Sequence, residues 1–309
     1  MQSAQPSVLA RSTAAILCAA AALAVAPPAA SGAERFRVTD ATKPLVLIRG
    51  TSLLSIGAGA LLEAGDIVET AGDAQVLIEA PPGFAFMLGP DTRALIGGAP
   101  PQGALDVVVL GGWVKARLDA GAPSSAQVQF GPARVDSAAG SSYVAHASAT
   151  RLEAFSEAGT LTISAQPAPA AGHRVTAPPA RLGADSYAVV DAGKPIAILD
   201  RPAPDFVATM PPTFRSPIYP IAARVPTVAV DVAKARKVDY ADVAPWLKGV
   251  PSLRREMVAR FRPRLADEAF RRALDAELGY GPDWKPILHP PPPPPPPTAA
   301  QPPPAGNGQ

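Results

Sequence analysis

Cysteine is almost absent from this chain: Cys18 is the only one in 309 residues. A single thiol can form no internal disulfide and supplies no Cys-ligated metal site. Asparagine occurs once, as Asn307, without a Ser or Thr two residues on, so there is no N-glycosylation acceptor. The three histidines, His146, His173 and His289, are scattered, with no i,i+4 pair of the kind that binds zinc on a helix. Charge of one sign is also missing. A net charge of +2 gives no general field for a polyanion, and nucleic acid is not an expected partner. His-Glu-x-x-His, a P-loop and Gly-x-Ser-x-Gly do not occur, and there is no candidate thiol nucleophile. No catalytic, cofactor-binding or metal-binding residue is assigned on this basis, and the chain is not expected to be an enzyme.

The apolar runs are short, with one exception near the start. Arg11 is the only charged side chain before Glu34, and TAAILCAAAALAVAPPAA follows it. A positive start, an apolar run and the small residues Ser31-Gly32-Ala33 describe a secretory signal peptide over residues 1–33. Pro27-Pro28 interrupts the run, which is short for a ~20-residue membrane span. Leu17 is not the small residue a lipoprotein signal needs before its cysteine. Cleavage after Ala33 therefore removes Cys18 and leaves a thiol-free chain suited to an oxidising compartment such as the periplasm, either free or attached to the envelope. No later run is long enough to cross a bilayer.

Proline is the abundant residue, at 39, and it punctuates three regions after the leader. Residues 34–164 read as all-β. Runs of four to seven residues such as Pro44–Ile48, Gln75–Ile78, Phe84–Leu88, Trp113–Leu118 and Leu161–Ser164 alternate with turn signals. The signals include Gly72-Asp73, Pro82-Gly83, Pro90-Asp91 and Gly111-Gly112. Gln127-Val128-Gln129-Phe130 and Thr160-Leu161-Thr162-Ile163 place apolar side chains on one face only. No helical period intervenes, so a sandwich, roll or β-solenoid of short, mostly antiparallel strands is expected.

Within this region the order is specific. Leu61-Leu62 leads to Gly65-Asp66, then Ile67-Val68-Glu69-Thr70, a turn, a strand, Pro82-Gly83, a strand to Leu88, and later Leu110-Gly111-Gly112-Trp113-Val114. A final hairpin runs through Glu153 to Leu161. This resembles the FecR-like domain, the periplasmic module of ferric-citrate-type regulators, over roughly residues 44–164. Two steps depart from it: Ala139-Gly140-Ser141 stands where the family often has Arg-Gly-Thr, and Pro82-Gly83 where it often has Asp-Gly. The signalling members carry a cytoplasmic anti-sigma segment, and only about a dozen residues precede the apolar run here. The resemblance therefore implies a sensor-type module without that half. On elementary grounds Gly65 supplies a positive φ, Asp66 holds the turn through its own backbone, and Thr70 caps the next turn.

Residues 165–238 are a Pro-rich connector. Tyr187–Val190 and Pro195–Leu199 predict a hairpin over Asp191-Ala192-Gly193-Lys194, and Arg215–Pro220 and Thr227–Val232 predict edge strands. Residues 239–289 turn helical. Ser252 is the expected cap of a helix striped by Leu253, Met257, Phe261 and Leu265, which Pro263 kinks or ends. Asp267 caps a second helix striped by Phe270, Leu274 and Leu278, and Gly279 stops it. Trp246 and Trp284 are expected to clamp these helices into a small core or onto the sheet. Arginines on their outer face are interleaved with acids, as on a solvated surface. Residues 290–309 form a Pro-rich tail expected to be disordered, with polyproline II over Pro290–Pro297.

Two functions fit. The first is a non-enzymatic periplasmic binding or scaffold module for an envelope protein or surface polymer. The alternative is an envelope enzyme such as a glycan hydrolase, with Asp66 and either Glu69 or Glu79 as a carboxylate pair ~5–10 Å apart.

Overall fold

The computed structural model describes residues 36–80, 82–97, 105–122, 125–166, 178–249 and 253–291. The leader, His173, Ser252 and most of the proline tail lie outside them.

The strands are β1 (Phe36–Ala41), β2 (Leu45–Arg49), β3 (Ser52–Ile56), β4 (Leu61–Leu62), β5 (Ile67–Glu69) and β6 (Val76–Ala80). They continue as β7 (Phe84–Leu88), β8 (Arg93–Ile96), β9 (Leu105–Leu118), β10 (Ala126–Phe130), β11 (Ala133–Ser137) and β12 (Ser142–Ala147). The last are β13 (Arg151–Ala158), β14 (Leu161–Ala165), β15 (Ala180–Leu182), β16 (Ser186–Asp191), β17 (Ala197–Leu199) and β18 (Arg236–Lys237). The helices are α1 (Pro204–Thr209), α2 (Tyr240–Lys248), α3 (Arg254–Phe261), α4 (Glu268–Leu278) and α5 (Lys285–Leu288).

Two sheets form, mainly antiparallel. The first runs β4-β1-β6-β7-β9-β12-β13-β16-β17. The second runs β18-β3-β2-β5-β8-β9-β10-β11-β14-β15, with β9–β10 its parallel pair. The two are joined, so the described strands form one curled sheet folded over a shared core. The hairpin expected in the connector is β16–β17, and it extends the first sheet from β13.

Strand β9 belongs to both sheets. Its first half pairs with β8 and β10, its second half with β7 and β12. Gly111-Gly112, expected as a turn between strands, is instead a bend within one strand. Arg93 faces Gly111 and Ala94 faces Val109, so Leu110 is an extra, bulged residue. One extra residue reverses the period-2 alternation. Val107 and Val109 point into the core before the bulge, and Val114, Ala116 and Leu118 after it. Gly112 takes φ +106°, and a Cβ there would lie 2.3 Å from Thr92 Oγ1. That hydroxyl accepts from Trp113 N at 3.0 Å and fixes the bend.

The core between the sheets is apolar, with Phe36, Phe84, Phe86 and Phe130 among its largest members. Each outer face is covered as well. Ile48, Ile67, Leu95 and Val108 of the second sheet pack under α2 to α5, through Trp246, Phe261, Leu274 and Trp284. The two tryptophans therefore clamp helices onto the sheet. Asp267 caps α4, accepting from Ala269 N and Phe270 N at 3.0 and 3.1 Å. Helix α3 stops at Phe261, ahead of Pro263, and its N-cap is Leu253, with no side-chain cap. Helix α2 was not expected: Pro245 lies inside it and removes one backbone donor. Packing of Val243, Trp246 and Leu247 on the sheet outweighs that loss.

The first sheet is covered by the connector. Trp113 lies not in the main core but on the outer face, with Val144 and Tyr187, beneath Phe206 and Phe214. The bulge is the reason, because it turns residue 113 outward. Residues 212–215 form a 3-10 turn and Val232–Lys234 another, so the edge strands expected at 215–220 and 227–232 do not form. An isolated bridge from Val228 to Ala60 is what remains of the second.

Candidate functional site

The Gly65-Asp66 to Thr70 stretch is architectural, though Asp66 bonds Arg49 and the backbone before it rather than the backbone that follows. Gly65 adopts φ +86°. Asp66 is 1% exposed and accepts from Arg49 Nε and Nη2 at 3.0 and 2.6 Å and from Glu63 N at 2.8 Å. Thr70 Oγ1 donates to Gly89 O at 2.6 Å and accepts from Thr92 N at 2.9 Å, which caps the turn before β8. Arg260 of α3 reaches the same corner and donates to the carbonyls of Gly50, Gly65 and Ile48.

The carboxylates considered for hydrolysis have separate environments. Asp66 is held by Arg49. Glu69 accepts from Trp246 Nε1 at 3.0 Å and faces Arg93 Nε at 3.4 Å. Glu79, on the other sheet, accepts from Ile221 N and Ala222 N at 2.8 and 3.2 Å. No two of them share a partner.

The histidines are not brought together either. His146 stacks on Trp113 with ring centroids 4.4 Å apart. Burial lowers its pKa from 6.5, and Glu153, 3.9 Å away, opposes that shift. His289 contacts Asp275 Oδ1 at 2.8 Å and stacks on Tyr280 at 5.0 Å.

What sequence reasoning missed is the outer face of the first sheet. After the bulge, β9 presents Trp113, Lys115 and Arg117 outward, and the connector lies across them as a strap. Lys115 Nζ donates to Phe214 O at 2.8 Å, and Arg117 Nη1 to Ile218 O at 2.7 Å. Arg37 Nη1 donates to the carbonyls of Ala222 and Val225 at 3.0 and 3.1 Å. With Glu79 on Ile221 N and Ala222 N, four charged side chains hold the strap by its backbone. Its apolar side chains Phe206, Phe214 and Ile218 are buried.

Lys115 is 1% exposed, although it is a lysine on the outside of a sheet. A buried ammonium is tolerated when it is paired and hydrogen-bonded. Glu157 Oε1 lies 2.6 Å from its Nζ, and Ser142 Oγ donates to Glu157 Oε2 at 2.7 Å. This group forms the floor of a cleft of about 490 Å³ between β9, β12, β13 and the strap. Arg117, Asp119, Arg215 and Ile218 stand at its sides, and Leu118, Ala120, Ala158 and Pro217 add apolar wall. The recess is about half open to solvent, with apolar wall beside a few charged groups. Alternating charges in Lys115-Ala116-Arg117 were a signal in the sequence, but read alone they describe a solvated strand face.

No family model matches the chain, and no curated protein matches it. Among solved structures it is similar to two crystal structures of a candidate anti-sigma factor from Parabacteroides distasonis. Both are 14% identical, with a TM-score of 0.37 over 46% of this chain. The similarity spans 63% and 62% of those chains, less than two thirds of their length.

Proposed function

We propose that this chain is an exported FecR-like module of the cell envelope that binds or scaffolds another envelope component without catalysis. The signal-peptide pattern of residues 1–33 supports export to the periplasm, and the cleft beneath the strap is the ligand-holding surface in this reading. The cleft over Lys115 and Glu157 is the observation that carries the binding reading. The structural duties of Gly65, Asp66 and Thr70 support the resemblance, because they account for the order of the motif by its turns.

The test is capture from an envelope extract with the full chain and with an Arg215→Glu variant, both read by mass spectrometry. A component retained by the first and lost by the second is expected. Equal capture by both removes the cleft from the binding surface. N-terminal sequencing of the exported product should begin at or near Glu34, and a product that keeps Met1 in the cytoplasm ends the export reading.

A further inference from the structure

We infer that the cleft takes a monoanionic ligand with an apolar body, its carboxylate held by Arg215 at the rim and its chain lying on Leu118, Ala158 and Ile218. This rests on reading the cleft as the binding site.

The charges argue for it in turn. Glu157 is committed to Lys115 at 2.6 Å, and Asp119 Oδ1 lies 2.8 Å from Arg117 Nη2. Each acid of the cleft therefore has its own cation. Arg215 has none: among the described residues it meets no carboxylate, and its Nη2 reaches only Val207 O at 3.4 Å. The cleft thus carries one uncompensated positive charge. A cationic ligand would find both carboxylates already neutralised. A dianion would leave one negative charge unmatched against apolar wall. A neutral apolar molecule would leave Arg215 without a partner. A single carboxylate matches the surplus, and a guanidinium binds it in two parallel hydrogen bonds. At about 490 Å³ the space suits a medium-length acyl chain or the last residues of a peptide.

Both sources share this chemistry, and titration calorimetry on the full chain at neutral pH separates them. Octanoate, octanol and octylamine form one arm. Ala-Ala-Leu and its C-terminal amide form the other. Octanoate or the free tripeptide is expected to bind saturably, with octanol, octylamine and the amide at least about tenfold weaker. The tighter of the two acids identifies the source. Arg215→Gln lies on an exposed side chain, so its melting temperature should be unchanged while acid binding weakens about tenfold. Octanol binding as tightly as octanoate, no binding by either acid, or equal affinity in Arg215→Gln overturns the inference. Acid binding by a chain that captures no envelope component would sink only the partner reading. Capture that depends on the cleft, without acid binding, would sink only this one.

Discussion

Asp66 holds Arg49 through both carboxylate oxygens, at 3.0 and 2.6 Å, and the pair fixes the corner where β2, β4 and β5 meet. Arg49 Nη2 also donates to Leu61 O at 3.0 Å. Hydrogen bonding to Asp66 raises the guanidinium pKa further above its ordinary value. Removing Asp66 takes the buried acceptor from Arg49 and leaves it only Glu63, a largely exposed acid 2.9 Å from Nη1. Asp66→Ala is expected to cost about 3 kcal/mol in urea unfolding. The double variant Asp66→Ala with Arg49→Met should recover part of that loss. A single variant as stable as the parent would show that the pair has no net role.

Gly65 and Gly112 both adopt positive φ, but they should not respond alike to alanine. Nothing lies within 4 Å of a Cβ added at Gly65, whereas one at Gly112 meets Thr92 Cα at 2.6 Å. Gly65→Ala should cost only the left-handed backbone penalty, about 1–2 kcal/mol. Gly112→Ala adds a clash with backbone that cannot swing away, and its loss should be clearly larger. Equal melting temperatures for the two variants would contradict the β9 bend.

Trp113 joins the first sheet to the strap, so its removal should act locally as well as globally. Trp113→Ala is expected to cost about 3 kcal/mol by cavity formation. It should also speed proteolytic cutting between residues 204 and 225, because Phe206 and Phe214 lose the ring they pack on. Unchanged cutting at that segment would place the strap's anchorage elsewhere.

His146 makes the first sheet sensitive to acid. Burial holds its folded pKa below the unfolded value of about 6.5. Between those two values the unfolded chain binds more protons, so stability rises with pH there. The melting temperature should therefore fall as pH is lowered below about 6.5 and stop responding to this group once pH passes its folded pKa. His146→Phe keeps the stack on Trp113 and should flatten that part of the profile. A slope identical in the variant would assign the effect to another group.

The sequence by itself determined the local elements. Apolar alternation between Gly, Pro and Asp turns defined most strands, the i+4 stripes of Met257–Phe261 and Phe270–Leu274 defined two helices, and Asp267 marked its own cap. The positive φ of Gly65 was legible because turn chemistry depends on a few neighbouring residues, whereas Asp66 and Thr70 find Arg49, Gly89 and Thr92 only after distant strands pair. Tertiary structure alone decided what covers each sheet. A one-residue bulge at Leu110 reverses every side chain of β9 beyond it, and no periodic pattern announces where that occurs. That reversal sends Trp113 and Lys115 outward, and the strap, about a hundred residues later in the chain, buries them. The candidate cleft arises from the same step: Glu157 and Phe214 O meet Lys115, and Arg215 comes to line the same recess, only once distant segments are packed, because a buried charge is stable only where folding brings its partners.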